Sequence, residues 1–518
     1  MVKIFIDEKP VEVEEGTTIL KAAEKEGISI PHLCYHSAFP PEGSCRMCLV
    51  EIEGLPKLEL ACSTQVRDGM KVFTKCEKVV EARKGVLEFL LAEHPLDCPI
   101  CDKAGNCKLQ DYYDEYGLFE SQFRENKEKR EKKDAIGKSL IHDEERCILC
   151  RRCVRFLREV TKTQELGVFE RGIHSRVNIC DFAPVDNNYS GNLAQICPVG
   201  AITDTDFRFK TRSWFLKSGD SICPLCSRGC SITIEYHPGF YRFEVPKKVY
   251  RINSRENQEV NGFWICDLGR YGYSYLNENR QEKIALTNKK MSIEPTWESV
   301  RAFVAEKLNT LNSTGKMSQM ALVLNTWLSN EELFLFHKIF REDLHVEKIF
   351  FVDPPQGESD DFLLTPERSP NRRGAQEIGF DIKPASLKAL AAKADLLLVF
   401  GSFISGHFGS PEFKDALKNT ETKIFFTSHV NELNSLFDIV FPTALIAEKG
   451  GSLTNVDGKV QKFAPVFEPP DDCHSEWQIL TDLGQTLGIN SSFYKEFKTP
   501  EAVSNKMKEE IPFFREEK

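Results

Sequence analysis

Cys147-Ile148-Leu149-Cys150-Arg151-Arg152-Cys153, with Cys197-Pro198 far downstream, decides how this chain is read. Zinc sites favour two separate cysteine pairs. A C-x2-C-x2-C step instead wraps three corners of a four-iron cube and leaves the fourth to a distant thiolate. The chain has 18 cysteines among 518 residues, clumped in C-x-x-C steps. In a long chain without a secretory start, that clumping points to metal ligands in a reducing compartment rather than to disulfides. The opening Val2-Lys3-Ile4-Phe5-Ile6-Asp7 alternates like a strand and lacks an apolar h-region, so the mature fold is expected to begin at residue 2. No run of 18 apolar residues occurs, and no bilayer-spanning helix is expected. A net charge of −10 argues against nucleic-acid and anionic-membrane partners.

Around this motif the chain resembles a two-cluster bacterial ferredoxin. In that fold the Cys-Pro cysteine of one half ligates the other half's cluster, the role open to Cys197-Pro198. Counting back from Cys197 puts the second half's other ligand positions at Asn187, Ser190 and Leu193. The first half's own Cys-Pro position falls at Leu157. One cluster is therefore expected, on Cys147, Cys150, Cys153 and Cys197.

Upstream, Val2–Ile6 and Val11–Val13 read as a hairpin around Asp7-Glu8-Lys9, followed by a helix from Ile19 to Glu26 that Gly27 can stop. Strand, strand, helix and then a cysteine loop is the order of a β-grasp ferredoxin. Cys34, Cys45, Cys48 and Cys62 can hold a two-iron cluster there, with a structural zinc loop as the competing reading. A helical pattern over Val79–Leu91, apolar at Val79, Val80, Val86, Leu87, Leu90 and Leu91, ends before His94-Pro95. His94, Cys98, Cys101 and Cys107 complete a second set. A zinc site of three cysteines and one histidine matches the local pattern as well as an iron cluster does, and the neighbouring sets favour iron. The mixed charges of Arg124–Lys133 read as a solvated linker or helix face.

Downstream, Cys223, Cys226, Cys230 and the distant Cys266 offer four more thiolates in a small β-rich cap, with Ser231–Tyr236 as strand and zinc again the rival. Cys76, Cys180 and Cys473 have no partner at metal spacing and read as packed thiols. From residue 276 an α/β rhythm begins. Strands are expected at Ala321–Leu324, Ile349–Val352, Leu396–Phe400, Ile424–Phe426 and Ile439–Phe441, and helices at Glu331–Phe340 and Ser386–Ala394, as in a doubly wound parallel sheet. Neither GxGxxG nor a P-loop is present.

Over roughly residues 1–275 the ligand order resembles the large iron–sulfur subunit of bacterial respiratory complex I, NADH:quinone oxidoreductase. The matching features are the ten-residue gap after Cys34, His94-x3-Cys98, Cys147/Cys150/Cys153 with Cys197-Pro198, and the set ending at Cys266. The resemblance implies a peripheral-arm subunit at the cytoplasmic face of the bacterial inner membrane. Its two-iron cluster, all-cysteine cube and His-ligated cube would lie on the path from flavin towards quinone, with a fourth cluster off that path. Its partners would be a flavin/NADH-binding subunit and a ferredoxin-like subunit. Asp395–Ser402, Asp438–Pro442 and Glu448–Gln461 resemble the molybdopterin oxidoreductases. The stretch after Cys266 is too short for their full catalytic body, so a scaffold without molybdopterin is expected.

The expected class is α+β multidomain: a β-grasp 2Fe-2S domain (1–78), a helical 4Fe-4S domain with one histidine and three cysteine ligands (79–120), a 4Fe-4S ferredoxin-like domain (138–212), a 4Fe-4S cap of molybdopterin-oxidoreductase type (216–275) and a shortened α/β domain (276–518). One 2Fe-2S and three 4Fe-4S clusters and no catalytic residue are expected, the chain transferring electrons only. The alternatives are the electron-input subunit of an NAD-linked hydrogenase or formate dehydrogenase, which shares the first three sets, and a zinc-stapled interaction protein.

Overall fold

The computed structural model describes the chain except residues 118–121, 182, 240–245, 288–293, 383–393, 402–416, 419 and 516–518. It divides into two compact units, Met1–Leu216 and Lys217–Lys518.

The first unit opens on the expected hairpin. Val2–Ile6 pairs antiparallel with Lys9–Val13, and Asp7 and Glu8 turn at φ of 48° and 71°. Left-handed backbone at both turn residues matches the twist of the flanking strands. The Asp7 carboxylate steadies the turn by accepting from Thr74 N at 2.7 Å. Thr18 caps the helix Ile19–Lys25, its side chain accepting from Lys21 N at 3.4 Å. That helix buries Ile19, Leu20, Ala22 and Ala23 together with Ile4, Ile6, Val11, Val50 and Val72 of the sheet. In spatial order the five strands are Lys9–Val13, Val2–Ile6, Lys71–Phe73, Leu49–Ile52 and Glu59–Leu60, with Val2–Ile6 parallel to Lys71–Phe73. This is a β-grasp sheet, and it leaves residues 29–48 as a long loop at its edge.

The helix expected over Val79–Leu91 runs Glu77–Glu93. Its covered face is narrower than the apolar pattern suggests. Val79, Arg83 and Leu87 are buried, Val86, Leu90 and Leu91 are half-exposed, and Phe89 stands in solvent. Arg83 enters the core because its guanidinium donates to the Tyr116 hydroxyl and to Leu49 O, both at 3.0 Å. Those bonds tie the helix to Lys108–Tyr116 and to the strand beside Cys48. The charged run Arg124–Lys133 is neither a helix face nor a free linker. Lys127 Nζ donates to Leu91 O and Ala92 O at 2.7 Å, and Lys132 pairs with Asp97 at 2.7 Å and Glu145 at 2.6 Å. Alternating charge hid this strap because each partner lies far away in sequence.

The ferredoxin-like part has two matching halves. Leu140–His142 pairs with Ile202–Asp204 and Leu166–Phe169 with Arg176–Ile179, while the helices Arg152–Glu159 and Asn192–Ile196 pack together. The positions of the missing second cluster are filled. Leu157, Ser190 and Leu193 are buried, and Asn187 Nδ2 donates to Glu165 Oε1 at 2.8 Å.

The second unit begins with the antiparallel strands Lys217–Ile222, Ser231–His237 and Lys248–Ser254. Beyond them lies a six-stranded sheet in the spatial order Ala285–Leu286, Ile439–Pro442, Thr422–Thr427, Leu396–Phe400, Met320–Leu324, Ile349–Phe351, parallel except for the short Ala285–Leu286 edge. Numbered along the chain, its parallel strands stand 2-1-3-4-5, a doubly wound order that reverses between Met320–Leu324 and Leu396–Phe400. The strand centres are apolar because both faces are covered, while polar residues fall at the ends of Thr422–Thr427. Leu322, Leu398 and Phe426 pack with the helices Trp297–Ser313, Asn330–Phe336 and Glu476–Leu487, and Val323, Val399 and Phe425 with Leu417, Leu433 and Phe437. The helix expected at Glu331–Phe340 is α-helical over Asn330–Phe336 and continues as a π-helical turn, His337–Asp343. The one expected over Ser386–Ala394 falls, but for Ala394, outside the described residues. Among the described residues no helix is long and apolar enough to cross a membrane.

Beyond the carboxyl ends of Met320–Leu324 and Leu396–Phe400, Asn325, Gly401, Lys449 and Glu476 line a cavity of about 20 Å³. Lys449 Nζ there meets both Glu332 carboxylate oxygens at 2.8 Å and Glu476 Oε2 at 2.6 Å, with all three side chains buried. Burial pushes the Glu332 carboxyl up to about 7, with Glu476 adding to the rise and Lys449 opposing it. Burial alone would lower Lys449, but the two carboxylates outweigh it and hold the ammonium above its ordinary range. Two acids on one base leave a surplus negative charge, which a proton on Glu332 removes. An acid whose folded pKa is raised contributes stability below its unfolded value and loses it as pH rises through the folded one. Here that window runs from the ordinary 4.5 to about 7. Glu332→Gln lacks the titration, so its stability relative to the unsubstituted chain should rise between mildly acidic and mildly basic urea titrations. A difference that stays constant with pH would refute this.

Candidate metal centres

Cys34, Cys45, Cys48 and Cys62 are all buried. They form two pairs. The Cys45 thiol donates to Cys34 and holds it down at about 5, and the Cys48 thiol donates to Cys62 and lowers it likewise. Main-chain amides add to this, Leu33 N to Cys45 Sγ at 3.4 Å and Cys45 N to Cys34 Sγ at 3.5 Å. Gly43 and Arg46 take φ of 68° and 59°, the kinks that wind the loop around its sulfurs. Two thiol pairs in one dry pocket suit two tetrahedral metals that share bridging sulfides.

Cys147, Cys150, Cys153 and Cys197 line a single small cavity. Burial pushes the Cys147 and Cys150 thiols up to about 12 and Cys153 well above its ordinary value, with neighbouring thiols of the same set adding to each. The loop bends through left-handed Leu149 and Arg151 at φ of 52° and 60°, which aims the amides of Leu149 and Arg152 at Cys147 and Cys150. Cys197 arrives from the far end of Asn192–Ile196.

His94, Cys98, Cys101 and Cys107 line a cavity of about 490 Å³ together with Leu87, Phe89 and Leu96. His94 caps the end of Glu77–Glu93. Burial, then Lys127 and Arg146, push its imidazole down to about 4, so it is a neutral donor at ordinary pH. Its Nδ1 is buried and has no hydrogen-bond partner among the described residues. The amide of Lys103 donates to Cys101, and those of Gln110 and Leu109 donate to Cys107.

In the second unit Cys223, Cys226, Cys230 and Cys266 are all buried around the hairpin that joins Lys217–Ile222 to Ser231–His237. Cys230 feels Cys223, Cys226 and Cys266 together, and burial raises it well above its ordinary value. Gly269 N donates to Cys266 Sγ at 3.4 Å. Among the described residues no three His, Cys, Asp or Glu side chains stand ready around a single ion. Of the fifteen cysteines in the four sets, Cys98 is exposed, Cys147 is half-buried and the rest are buried.

The remaining cysteines are less uniform than the packed-thiol reading holds. Cys473 is buried, whereas Cys76 and Cys180 are partly exposed, and Cys76 Sγ donates to Glu51 Oε2 at 3.1 Å. Sequence reasoning also passed over the contacts between sets. Cys34 lies within electrostatic reach of Cys150. Lys108 N, just after Cys107, donates at 3.2 Å to Pro198 O, just after Cys197. A Cβ on Gly200 would stand 2.2 Å from Cys101 Sγ. The first unit thus strings its sets in the order first, third, second. Gly200→Ala forces the Cys101 loop away and should cost about 1–3 kcal/mol as overpacking does. Thermal unfolding checks it, and an unchanged midpoint would count against the close approach.

Family models match along the chain: a 2Fe-2S iron-sulfur cluster binding domain over residues 1–77, an NADH-ubiquinone oxidoreductase-G iron-sulfur binding region over 83–122, and an NADH-quinone oxidoreductase subunit 3 ferredoxin-like domain over 137–203. A molybdopterin oxidoreductase Fe4S4 domain matches 216–278 and a molybdopterin oxidoreductase domain 368–486. An NADH-quinone oxidoreductase G subunit of Rhizobium meliloti is 38% identical over 351 residues, 67% of this chain and 40% of that protein. NADH-quinone oxidoreductase subunit 3 of Thermus thermophilus is 36% identical over 350 residues, 61% of this chain and 43% of its own length. The NADH-ubiquinone oxidoreductase 75 kDa subunit of Reclinomonas americana is 37% identical over 342 residues, 66% of this chain and 48% of that one. The chain therefore spans less than half the length of each of these relatives. A chain from a crystal structure of an NAD+-reducing [NiFe]-hydrogenase is 33% identical, with 41% of this chain and 91% of that one covered. Its TM-score is 0.37. With 2Fe-2S, 4Fe-4S and molybdopterin-oxidoreductase-type domains in this order, the chain belongs with the large iron–sulfur subunits of NADH-quinone oxidoreductases.

Proposed function

We propose that this chain conducts electrons in the peripheral arm of a proton-pumping NADH:quinone oxidoreductase, from a flavin subunit towards a ferredoxin-like neighbour and quinone. The observation that carries the reading is the row of ligand sets in the first unit, whose middle set lies within electrostatic reach of the first through Cys34 and Cys150 and is hydrogen-bonded to the second's loop through Lys108 and Pro198. Bound clusters would supply reversible one-electron steps at potentials set by ligand type, burial and hydrogen bonds to sulfur. Cys34, Cys45, Cys48 and Cys62 would hold a two-iron cluster, and Cys147, Cys150, Cys153 and Cys197 a four-iron one. His94 with Cys98, Cys101 and Cys107 would hold another, made one charge less negative by its neutral imidazole. Cys223, Cys226, Cys230 and Cys266 would hold a third cube that staples the cap of the second unit. Residues 276–518 are read as scaffold without molybdopterin, and attachment to the cytoplasmic face of the bacterial inner membrane comes through partner subunits.

Anaerobic reconstitution of the full chain should yield iron and acid-labile sulfide for one two-iron and three four-iron clusters, with no molybdenum or tungsten. A preparation filled with zinc and lacking visible charge-transfer absorption would overturn the reading. Cys147→Ala and Cys197→Ala should each abolish the same reduced-state EPR signal. If that signal survives in one of them, the two thiols do not share a cluster.

A further inference from the structure

Arg152 lies between two ligand sets. Its Nη1 donates at 3.2 Å to Ile196 O, the carbonyl just before Cys197, and its Nη2 donates to Tyr35 O, the carbonyl just after Cys34. Its main chain belongs to the middle loop, where the Arg152 amide donates to Cys150 and the next residue is Cys153. One side chain therefore ties Cys34, Cys150, Cys153 and Cys197 to a common point.

The charge balance around it is unusual. Among the described residues no carboxylate pairs with Arg152, and both side-chain hydrogen bonds go to neutral carbonyls. Its Nε is buried and has no hydrogen-bond partner there. Arg146, the arginine on the other side of the motif, differs. It is paired with Asp97 at 2.9 Å and with Asp143 at 3.3 Å. A guanidinium keeps its proton at any pH the fold survives, and desolvating it without a counter-ion is costly. Cys150 feels its charge, and the two carbonyls it holds adjoin Cys34 and Cys197.

We infer that Arg152 is a positioning and potential-setting residue of the electron path, its guanidinium the shared counter-ion of the first and third clusters. This rests on the proposed function, since it requires those sets to hold redox clusters. Each added electron makes a cluster more negative, so a fixed positive charge in the gap favours the reduced form of both. It also raises the two potentials together, so the step between them is left unchanged. The paired hydrogen bonds hold the two loops at one separation.

The test is an EPR-monitored redox titration of the anaerobically reconstituted full chain, unsubstituted and as Arg152→Gln and Arg152→Lys. In Arg152→Gln the signals of the two-iron cluster and of the cluster on Cys147, Cys150, Cys153 and Cys197 should both move to lower potential, while that of the His94 set stays in place. Arg152→Lys keeps the charge and should return both signals towards their original positions. If Arg152→Gln loses a cluster outright, Arg152→Lys must keep it near its original potential. Unmoved potentials in Arg152→Gln, equal shifts in Gln and Lys, a shift of all signals together, or cluster loss in both variants would each overturn the inference. An unsubstituted chain that takes up zinc in place of clusters would instead sink the proposed function.

Discussion

The chain depends on how sixteen soft donors, most of them buried thiols, are kept from destabilising the loops that carry them. A thiolate taken out of water is costly, and a second one beside it is worse. Cys147, Cys150, Cys153, Cys223 and Cys230 show this, with burial and neighbouring sulfurs both driving protons back onto them. A bound cationic inorganic core would reverse the balance, because binding it would release those protons and make cluster assembly part of folding. The local backbone is built for that state. Amides one or two residues after a ligand turn to its sulfur at Leu149, Arg152, Val154, Lys103, Leu109 and Leu225. In the Cys147–Cys153 loop, left-handed residues sit where the chain must bend for those amides to point inward.

The α/β part of the second unit owes far less to such donors. Its parallel sheet is covered on both faces by leucine, valine and phenylalanine, and burial of that surface, at roughly 25 cal/mol per Å² of apolar area, holds it whether or not a ligand is bound. Its one concentrated electrostatic liability among the described residues is the Lys449–Glu332–Glu476 cluster, set where the strand order reverses. Doubly wound sheets open their ligand crevice at that reversal. Here the place is occupied by a lysine and two acids that satisfy one another, with the Ser329 capping box and Ser452 completing the hydrogen bonds around the neighbouring acids. A buried network of this kind stabilises a shape only while every member is paired.

Much of this was legible in the chain because the relevant periods are short. The Val2–Val13 hairpin, the helix closed near Gly27 and the strands of the second unit all follow from spacing within a few dozen residues. What spacing could not show was long-range pairing. Arg124–Lys133 reads as a solvated run until Leu91, Ala92 and Asp97 are seen to receive its lysines. The apolar positions of Glu77–Glu93 do not show by themselves that Leu91 lies on the wall of the His94 cavity. Arg83, though charged, enters the core because Tyr116 and Leu49 wait for it. Arg146 and Arg152 carried a visible signal, being bases directly flanking ligand cysteines, but nothing local distinguished the one paired with acids from the one that is not.

Both halves of the ferredoxin-like fold are present, and the filled ligand positions in one of them bear on how the other half's set is held. Cys153 sits in the helix Arg152–Glu159, and Cys197 ends the helix Asn192–Ile196. The two helices pack together, and they carry Leu157 and Leu193 at positions where a second cluster would have taken ligands. Removing a cluster without filling its volume would leave a cavity, and the helices would move in to close it. That shift would draw Cys197 away from Cys147, Cys150 and Cys153, because its only route to them is the end of its short helix. Leucine at both buried positions, with Asn187 bonded to Glu165 beside them, fills that volume and keeps the helices apart. The same spacing then fixes Pro198 and Gly200 against Lys108 and Cys101, so the plug in one half of the fold determines how closely the remaining set approaches its neighbour.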